Sequence, residues 1–259
     1  MDFNDARKHW YANIYDTTFT NTDDIDFLLG IIGEKSKNIL EVCCGTGRIL
    51  VPLARANHIV TGLDIDEYMM ERIKEKSIGL KNIEYFKADA INNDWGSNYD
   101  IVVFACNIFM NIITENVNER PQKIFIEKAA KSLKSGGYVY IEFSINNDFE
   151  ESHVKKGPDW TIFEGTDDRD VFGKFIMCGE GSFDKETQMN YGKRKIELKF
   201  PNGDTDLYEY EFNKSIPRLD EVEKWLKENN FVIEEKYGNF KKEPITQNSD
   251  RVIIYARKM

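Results

Sequence analysis

Short apolar runs alternate with helical patterns between Lys37 and Ile145, and this alternation restricts the chain to a narrow class of folds. It is typical of βαβ units, in which helices cover both faces of a mostly parallel sheet. Two more apolar runs near the end of the chain predict strands that close the same sheet. The predicted strands of this α/β core are Asn38–Val42, His58–Asp64, Ile83–Ala88, Tyr99–Ala105, Gly137–Ser144, Phe231–Glu235 and Arg251–Ala256.

Capping residues and apolar spacing predict the helices that connect these strands. Asp66 is a favourable N-cap for a helix over Glu67–Lys76, whose buried side is expected to carry Met69, Met70 and Ile73. The remaining predicted helices are Phe3–Tyr15, Ile49–Arg55, Pro121–Leu133 and Arg218–Asn230.

From residue 146 the sequence pattern changes to runs of aromatic and β-branched residues, which are interrupted by turns such as Asn202-Gly203-Asp204. Such runs are typical of antiparallel strands, which we interpret as a cap inserted into the core. The predicted division is an N-terminal helix plus core at 1–145, the β cap at 146–215, and a closing helix and strands at 216–259. The predicted cap strands are Asp159–Glu164, Phe172–Phe183, Met189–Phe200 and Thr205–Asn213.

The charge of the chain argues against a nucleic-acid partner. Its 259 residues carry a formal net charge of −10, which repels a phosphate backbone unless a local basic stripe is present. The short run Lys193-Arg194-Lys195 is the candidate for such a stripe. We interpret this run as a solvated strand face.

Other features favour a cytoplasmic protein that does not bind a membrane. Apolar stretches such as Ile101–Cys106 are too short to cross a bilayer, and the first residues are polar. The four cysteines include the adjacent pair Cys43 and Cys44, which suits neither a disulfide framework nor paired metal ligands. We therefore expect reduced thiols and no metal.

A glycine turn follows the first predicted strand, in Glu41-Val42-Cys43-Cys44-Gly45-Thr46-Gly47-Arg48. A strand, a glycine turn and a helix N-terminus let the backbone approach a ligand closely and direct amide donors at it. Asp64 ends the second strand, where an acidic side chain accepts both ribose hydroxyls of an adenosine. These features predict a site for an adenosine compound.

Two residues distinguish among adenosine compounds. Leu50 occupies the place of the third glycine of a dinucleotide fingerprint, which allows close helix packing beside a pyrophosphate. Glu41 adds a carboxylate just before the turn, which repels a phosphate and attracts an ammonium or sulfonium group. Both features favour a cationic ligand over a nicotinamide dinucleotide.

With these features the chain resembles the class I S-adenosylmethionine-dependent methyltransferases, and most closely the small-molecule N-methyltransferases that carry a β-rich cap. The resemblance covers roughly residues 38–145 and, loosely, the last 40 residues, and it implies a Rossmann-like fold. Cys43 departs from the pattern, since it stands where the family usually has its first glycine. The matching motifs are the Glu41 turn, Leu63-Asp64-Ile65-Asp66, Lys87-Ala88-Asp89-Ala90, Tyr99-Asp100-Ile101-Val102-Val103 and Leu133-Lys134-Ser135-Gly136-Gly137.

The resemblance implies S-adenosyl-L-methionine as cofactor and assigns its contacts. The Glu41 turn, with Gly45 and Gly47, would bind the methionine part, and Asp64 would hold the ribose. Asp89 would accept from the adenine amino group. The other expected contacts are Ile65 and Met69 on the ring, Cys106 and Asn107 beside the sulfonium, and Tyr11, Tyr15, Cys43, Thr46 and Ala90 elsewhere around the cofactor.

Methyl transfer from a sulfonium needs alignment and exclusion of water rather than a fixed triad. An amine acceptor must lose a proton before attack, and Tyr15 and His153 are the candidate acceptors of that proton, with Asn107 orienting the substrate. Aromatic residues of the cap either line an acceptor pocket or fill the cap's own core. Asp167, Asp168 and Asp170 either favour a cationic acceptor or are solvated.

We therefore expect a methyltransferase with a small-molecule acceptor, N-directed rather than O-directed, acting as a monomer or homodimer. Two alternatives stay open at this point. The first is a protein that binds the cofactor without catalysis, which the Cys43 departure favours. The second is an NAD(P)-dependent oxidoreductase, which would use the same fold.

Overall fold

The computed structural model describes residues 2–114, 119–145 and 157–259. The chain forms two compact units. The larger unit comprises residues 21–147 and 215–259, and the smaller comprises residues 1–20 and 148–214. Within the described ranges, no helix has the length and apolar character needed to cross a membrane.

The larger unit contains a seven-stranded sheet of mostly parallel strands, which confirms the predicted Rossmann-like α/β fold. The strand order is β10-β11-β5-β4-β1-β2-β3, and β11 runs antiparallel to both of its neighbours. The strands are β1 Asn38–Val42, β2 Ile59–Asp64, β3 Ile83–Lys87, β4 Tyr99–Phe104, β5 Leu133–Ser144, β10 Phe231–Tyr237 and β11 Arg251–Lys258.

Strand β5 begins earlier than predicted. The sequence predicted its start at Gly137, but Leu133 already pairs with Tyr99 of β4. The pairing shifts register between Tyr99 and Ile101, which accommodates the extra residues before Gly137. The preceding helix therefore ends at Ser132, one residue before the predicted end.

Helices α2 to α7 belong to the larger unit. Asp66 caps α4 as predicted, because its side chain accepts from the backbone N–H groups of Tyr68 and Met69. Met70 and Ile73 are buried, whereas Met69 is only partly buried, because it lies beside the turn at Gly45 rather than under the sheet. The helices are α2 Asp23–Ile32, α3 Leu50–Arg55, α4 Glu67–Lys76, α5 Ile108–Asn111, α6 Pro121–Ser132 and α7 Leu219–Glu228.

The sequence analysis missed helix α2. Its first turn is rich in acidic residues, which suit a helix N-terminus, but its N-cap Thr22 forms no side-chain capping hydrogen bond. Phe27 and Leu28 on its apolar side are buried in the core of the larger unit. Packing of that side stabilises the helix where local capping is weak.

The smaller unit contains a four-stranded antiparallel sheet in the order β6-β7-β8-β9, with helix α1 packed on it. Trp10 of α1 is fully buried, and its indole N–H donates to the carbonyl of Gly165 at 3.0 Å. The elements are α1 Phe3–Thr18, β6 Trp160–Thr166, β7 Phe172–Asp184, β8 Met189–Lys199 and β9 Thr205–Ser215.

The placement of α1 differs from the predicted division of the chain. The N-terminal helix was predicted to belong with the core at 1–145, but residues 1–20 belong to the unit that contains the small sheet. Glycine makes this packing possible, because a Cβ atom on Gly173 would lie 2.3 Å from Cε2 of Trp10. The aromatic residues of α1 thus contribute to the core of the smaller unit.

Candidate functional site

Four parallel strands of the larger unit, β3-β2-β1-β4, end at one edge of the sheet. Ligands of open α/β sheets bind at this carboxyl edge. The ends of these strands and the segments that follow them carry the predicted site residues of the core, which are Glu41, Cys43, Gly45, Thr46, Gly47, Asp64, Ile65, Met69, Asp89, Ala90, Cys106 and Asn107.

The glycine turn between β1 and α3 has three residues with positive φ, namely Cys43 at 60°, Gly45 at 51° and Gly47 at 74°. Its backbone is fixed by hydrogen bonds, since the N–H of Cys44 donates to Leu63 O at 3.0 Å and that of Gly47 to Cys44 O at 2.8 Å. A left-handed conformation is unfavourable for cysteine. Cys43 therefore adopts the backbone geometry that the family usually assigns to glycine.

Asp64 connects the glycine turn to helix α4. One carboxylate oxygen accepts from the Gly45 N–H and the other from the Asp66 N–H, both at 2.8 Å. Burial raises the pKa of Asp64, while these two N–H groups oppose the rise. Each oxygen keeps a lone pair free of these two bonds. Asp64 is thus held where it can accept further hydrogen bonds.

Glu41 is a buried carboxyl group at the end of β1, with 4% of its surface exposed. Its Oε2 atom has no hydrogen-bond partner among the described residues. The pKa of Glu41 is raised to about 8, chiefly by burial and also by the carboxylates of Asp64 and Asp24, while Arg48 opposes the rise. A cationic group at this position would favour the ionised form of Glu41.

Arg48 is a site residue whose contacts the sequence analysis missed. Its guanidinium donates to both carboxylate oxygens of Asp24 in α2 and, at 3.1 Å, to the carbonyl of Asn21. It also donates to Sγ of Cys106 at 2.8 Å. Arg48 therefore connects the glycine turn with α2 and with the loop after β4.

The loop after β4 is held by the neighbouring strand β5. Cys106 and Asn107 both have positive φ, at 57° and 59°. The Cys106 N–H donates to Glu142, and Oδ1 of Asn107 accepts from the N–H and the hydroxyl of Ser144. Burial raises the pKa of the Cys106 thiol to about 12, so it is protonated at neutral pH.

The loops after β2 and β3 present the residues expected around adenine. Ile65 is 62% exposed and Met69 is partly buried beside the turn, whereas Ala90 is buried. Asp89 uses its carboxylate within its own turn, where it accepts from the N–H groups of Ile91 and Asn92. Burial raises the pKa of Asp89, but the hydrogen bonds from Asn92 and Ile91 outweigh this effect, so the pKa is lowered and the carboxylate stays ionised.

Leu50 fills the space that a dinucleotide fingerprint leaves open. It is fully buried, and β2 accommodates it with a glycine, since a Cβ atom on Gly62 would lie 2.6 Å from Cδ2 of Leu50 and 2.8 Å from Sγ of Cys44. The close approach of helix and strand thus depends on Gly62 in the strand. Thr46, between the two glycines of the turn, is buried as well.

The remaining candidates belong to the smaller unit or lie outside the described residues. The ring of Tyr11 packs 5.2 Å from Phe175, and the ring of Tyr15 packs 4.5 Å from Phe19. His153 lies outside the described residues. The structure therefore shows aromatic packing for both tyrosines within their own unit.

The acidic run of the smaller unit is used in a turn between β6 and β7. Oδ1 of Asp167 accepts from the N–H groups of Arg169 and Val171, and Asp168 contacts Nε2 of His9 at 2.6 Å. Among the described residues, His9, Asp167 and Asp168 form the one group whose ligand atoms are close enough together to hold a metal ion. These contacts explain why the three side chains lie close together without a metal ion. The absence of a metal from this protein stays a prediction.

Comparisons with known proteins indicate the family to which this chain belongs. A family model described as a methyltransferase domain matches residues 39–137, which include the glycine turn. A relative named "Putative protein N5-glutamine methyltransferase", from Methanocaldococcus jannaschii, is 34% identical over 135 residues. That match covers 46% of this chain and 68% of the relative.

Two solved structures have the same fold over nearly the whole chain. An S-adenosylmethionine-dependent methyltransferase from Clostridium acetobutylicum is 19% identical with a TM-score of 0.71, and the match covers 96% of this chain and 97% of that one. The sugar N-methyltransferase KedS8 from a Streptoalloteichus species is 12% identical with a TM-score of 0.72, covering 96% and 93%. The chain belongs to the class I S-adenosylmethionine-dependent methyltransferases, and it is an enzyme of that family.

Proposed function

We propose that this enzyme binds S-adenosylmethionine at the carboxyl edge of the large sheet and transfers its methyl group to the nitrogen of a small molecule. The observation that supports the site most strongly is the pair of buried carboxyl groups, Glu41 and Asp64, on either side of the glycine turn. Glu41 has an Oε2 atom without a hydrogen-bond partner among the described residues, which suits the ammonium of the methionine part. A pyrophosphate would be repelled by the carboxylate of Asp64 and would not favour the ionised form of Glu41.

The proposed cofactor contacts are supported by the positions of the residues along the carboxyl edge. Gly45 and Gly47 allow backbone approach to the methionine part, next to Cys43 and Thr46. Asp64 accepts from the ribose hydroxyls, since its carboxylate is already oriented by two backbone N–H groups. Ile65, Met69, Asp89 and Ala90 surround the adenine, and Cys106 lies near the sulfonium. Tyr11 and Tyr15 remain proposed cofactor contacts from the smaller unit.

Bound S-adenosylmethionine supplies a methyl group on an activated leaving group, so the protein has to orient the acceptor and exclude water. We propose that Asn107 orients the acceptor. Its side-chain oxygen Oδ1 accepts from Ser144, and its side-chain amide nitrogen can donate to the substrate. Tyr15 and His153 are the proposed acceptors of the amine proton. The protonated thiol of Cys106 does not compete for the methyl group.

A small-molecule acceptor and N-methylation are supported by the fold shared with the sugar N-methyltransferase, which covers both units of this chain. The M. jannaschii relative matches less than half of this chain, so its printed acceptor carries less weight. We further propose a cytoplasmic enzyme, monomeric or homodimeric, that acts without nucleic acid or membrane.

The test of the cofactor site is a thermal-shift titration with S-adenosylhomocysteine. We expect the wild type to be stabilised by about 2.7 kcal/mol at a ligand concentration 100 times the Kd. Asp64→Ala should abolish this shift, because it removes the ribose acceptor, whereas Asp66→Ala should weaken only the cap of α4. A wild type that shows no shift would contradict the proposed site.

The transfer itself is tested with a tritiated methyl group on the cofactor and an extract of small metabolites as acceptor. We expect label in a small molecule, with the methyl group on nitrogen when that product is analysed by mass spectrometry and NMR. Label on oxygen would contradict N-methylation while leaving the methyltransferase assignment intact. Tyr15→Phe and His153→Ala test the proposed proton acceptors, since a variant with unchanged kcat has no such role.

A further inference from the structure

The basic run of strand β8 is divided between the two faces of the small sheet. Lys193 and Lys195 lie on one face, where both contact Glu209, at 3.8 Å and 3.5 Å, and Lys195 also contacts Asp159. Side chains alternate along a strand, so Arg194 lies on the opposite face. Lys193 is exposed, as predicted for a solvated strand face, whereas Arg194 and Lys195 are partly buried.

Arg194 lies on a partly buried aromatic surface. Its Cζ atom is 4.1 Å from the ring centroid of Phe212 and 5.4 Å from that of Phe175. Its Nε atom is buried and has no hydrogen-bond partner within the described ranges. The side chain of Arg194 also forms a hydrogen bond with the hydroxyl group of Tyr210. The guanidinium is thus held in place by rings rather than by a counter-charge.

A second cation lies beside the first. Lys214 of β9 places its Nζ atom 6.0 Å from the centroid of the same Phe212 ring. Among residues 2–114, 119–145 and 157–259, no carboxylate forms a salt bridge with either Arg194 or Lys214. Burial and, second to it, the charge of the nearby Arg194 lower the pKa of Lys214 to about 8.

Two neighbouring cations without a counter-ion are unfavourable in a partly buried setting. An anion between them would relieve their repulsion and accept charge-assisted hydrogen bonds from both. The carboxylates of the β6–β7 turn do not serve this purpose, since Asp167 accepts from its own turn and Asp168 contacts His9. The surface formed by Arg194, Lys214 and Phe212 has the chemistry of an anion site.

We propose that Arg194 and Lys214 bind an anionic group, a carboxylate or a phosphate, of the methyl acceptor. The inference rests on the proposed function, in which the smaller unit contributes to acceptor binding, and it narrows the acceptor to an acidic small molecule.

The direct test measures binding of inorganic pyrophosphate and of succinate to the full-length protein by calorimetry at constant ionic strength. We expect the wild type to bind at least one of them, and the stronger ligand distinguishes a phosphate from a carboxylate. Arg194→Gln and Lys214→Gln should each weaken that binding by about tenfold, as for loss of a charge-assisted hydrogen bond. Lys193→Gln, a neighbour on the opposite face, should leave it unchanged.

Two results would overturn the inference. One is a wild type that binds neither anion, and the other is equal weakening by Lys193→Gln, which would show a general effect of charge. Retention of the S-adenosylhomocysteine thermal shift in Arg194→Gln and Lys214→Gln shows that the larger unit of these variants is folded, and unchanged resistance of residues 157–214 to limited proteolysis shows that the smaller unit is folded as well. That readout also separates failure of this inference from failure of the cofactor site.

A second experiment tests the acceptor itself. Before the tritiated methyl assay, the metabolite extract is separated on an anion exchanger, and we expect label from the retained fraction. With the acceptor so obtained, Lys214→Gln should raise KM by about tenfold and change kcat little, since the anionic group that Lys214 contacts is not the nitrogen that receives the methyl group. Label confined to the unretained fraction would contradict an acidic acceptor.

Discussion

Single residues at the carboxyl edge of the sheet carry the chemistry. Among them, Glu41 is a carboxyl group whose protonation changes near neutral pH. Its pKa of about 8 in the folded protein lies above the ordinary value of 4.5, so the native state holds a proton that the unfolded state has lost between these values. Stability of the cofactor-free protein therefore falls as pH rises from about 4.5 to about 8, with a limiting slope of about 1.4 kcal/mol per pH unit from this group.

Replacement of this carboxyl group should remove that dependence. We expect Glu41→Gln to flatten the decline of Tm between pH 5 and 8 and to be more stable than the wild type at pH 8, because the amide needs no proton. The same variant should bind S-adenosylmethionine more weakly. A Glu41→Gln protein with the wild-type pH profile would contradict the assignment of this titration to Glu41.

Cys43 tests whether the turn needs its left-handed conformation. At a φ of 60°, a β-branched side chain is strongly disfavoured. We expect Cys43→Val to lower the free energy of unfolding by about 1–2 kcal/mol relative to Cys43→Gly, as judged by the cost of this conformation. The measurement is urea unfolding of both variants, and equal stability would show that the turn adopts another conformation.

The sequence predicted Glu41, the two glycines and Asp64 at one edge because these residues end strands or follow them directly. It did not predict the contacts of Arg48 or the role of Gly62. Both depend on partners distant along the chain, Asp24 and Leu50, and a single sequence does not show which distant side chains meet. Arg194 shows a related limit, since alternation along β8 separates it from the lysines on either side.

At the scale of elements, the ion pair between Arg48 and Asp24 connects helix α2 to the glycine turn. The side chains of Arg48 and Asp24 are 18% and 12% exposed. Loss of one partner therefore costs more stability than the loss of a surface salt bridge. We expect Asp24→Asn to lower the free energy of unfolding by roughly 1–3 kcal/mol. Asp26→Asn, an exposed acid of the same helix, is the matched control.

The readout for this pair is urea unfolding combined with hydrogen exchange of α2. Faster exchange in α2 of Asp24→Asn, with no such change in Asp26→Asn, is the expected pattern. Equal effects of the two substitutions would mean that charge at the helix N-terminus matters and the ion pair does not.

Elements with clear local signals were predicted closely. Helix α4 has the predicted bounds because Asp66 and its apolar stripe act within one turn of the chain. Helix α2 and the start of β5 were missed because tertiary contacts decide them. In α2 the burial of Phe27 and Leu28 compensates for a weak cap, and in β5 pairing with Tyr99 recruits Leu133 into the strand.

The whole molecule consists of two units, and the chain passes from one to the other more than once. The smaller unit depends on Trp10, which is fully buried against the strands. We expect Trp10→Ala to destabilise this unit by about 3–5 kcal/mol, as for other large aromatic truncations. Asn4→Ala, an exposed change in the same helix, should have little effect on stability.

Limited proteolysis measures this difference, with S-adenosylhomocysteine binding as a second readout for the larger unit. Cleavage should increase within residues 157–214 of Trp10→Ala. Preferential cleavage within residues 21–114 would instead show that Trp10 stabilises the larger unit.

Trp10 and Gly165, which share a hydrogen bond, are 155 residues apart in the sequence. On the ribosome, helix α1 is therefore synthesised long before the strands that receive its indole ring. Contacts of such long sequence separation form late and slow folding. We therefore expect the aromatic side of α1 to stay exposed on the nascent chain until β6 and β7 have emerged.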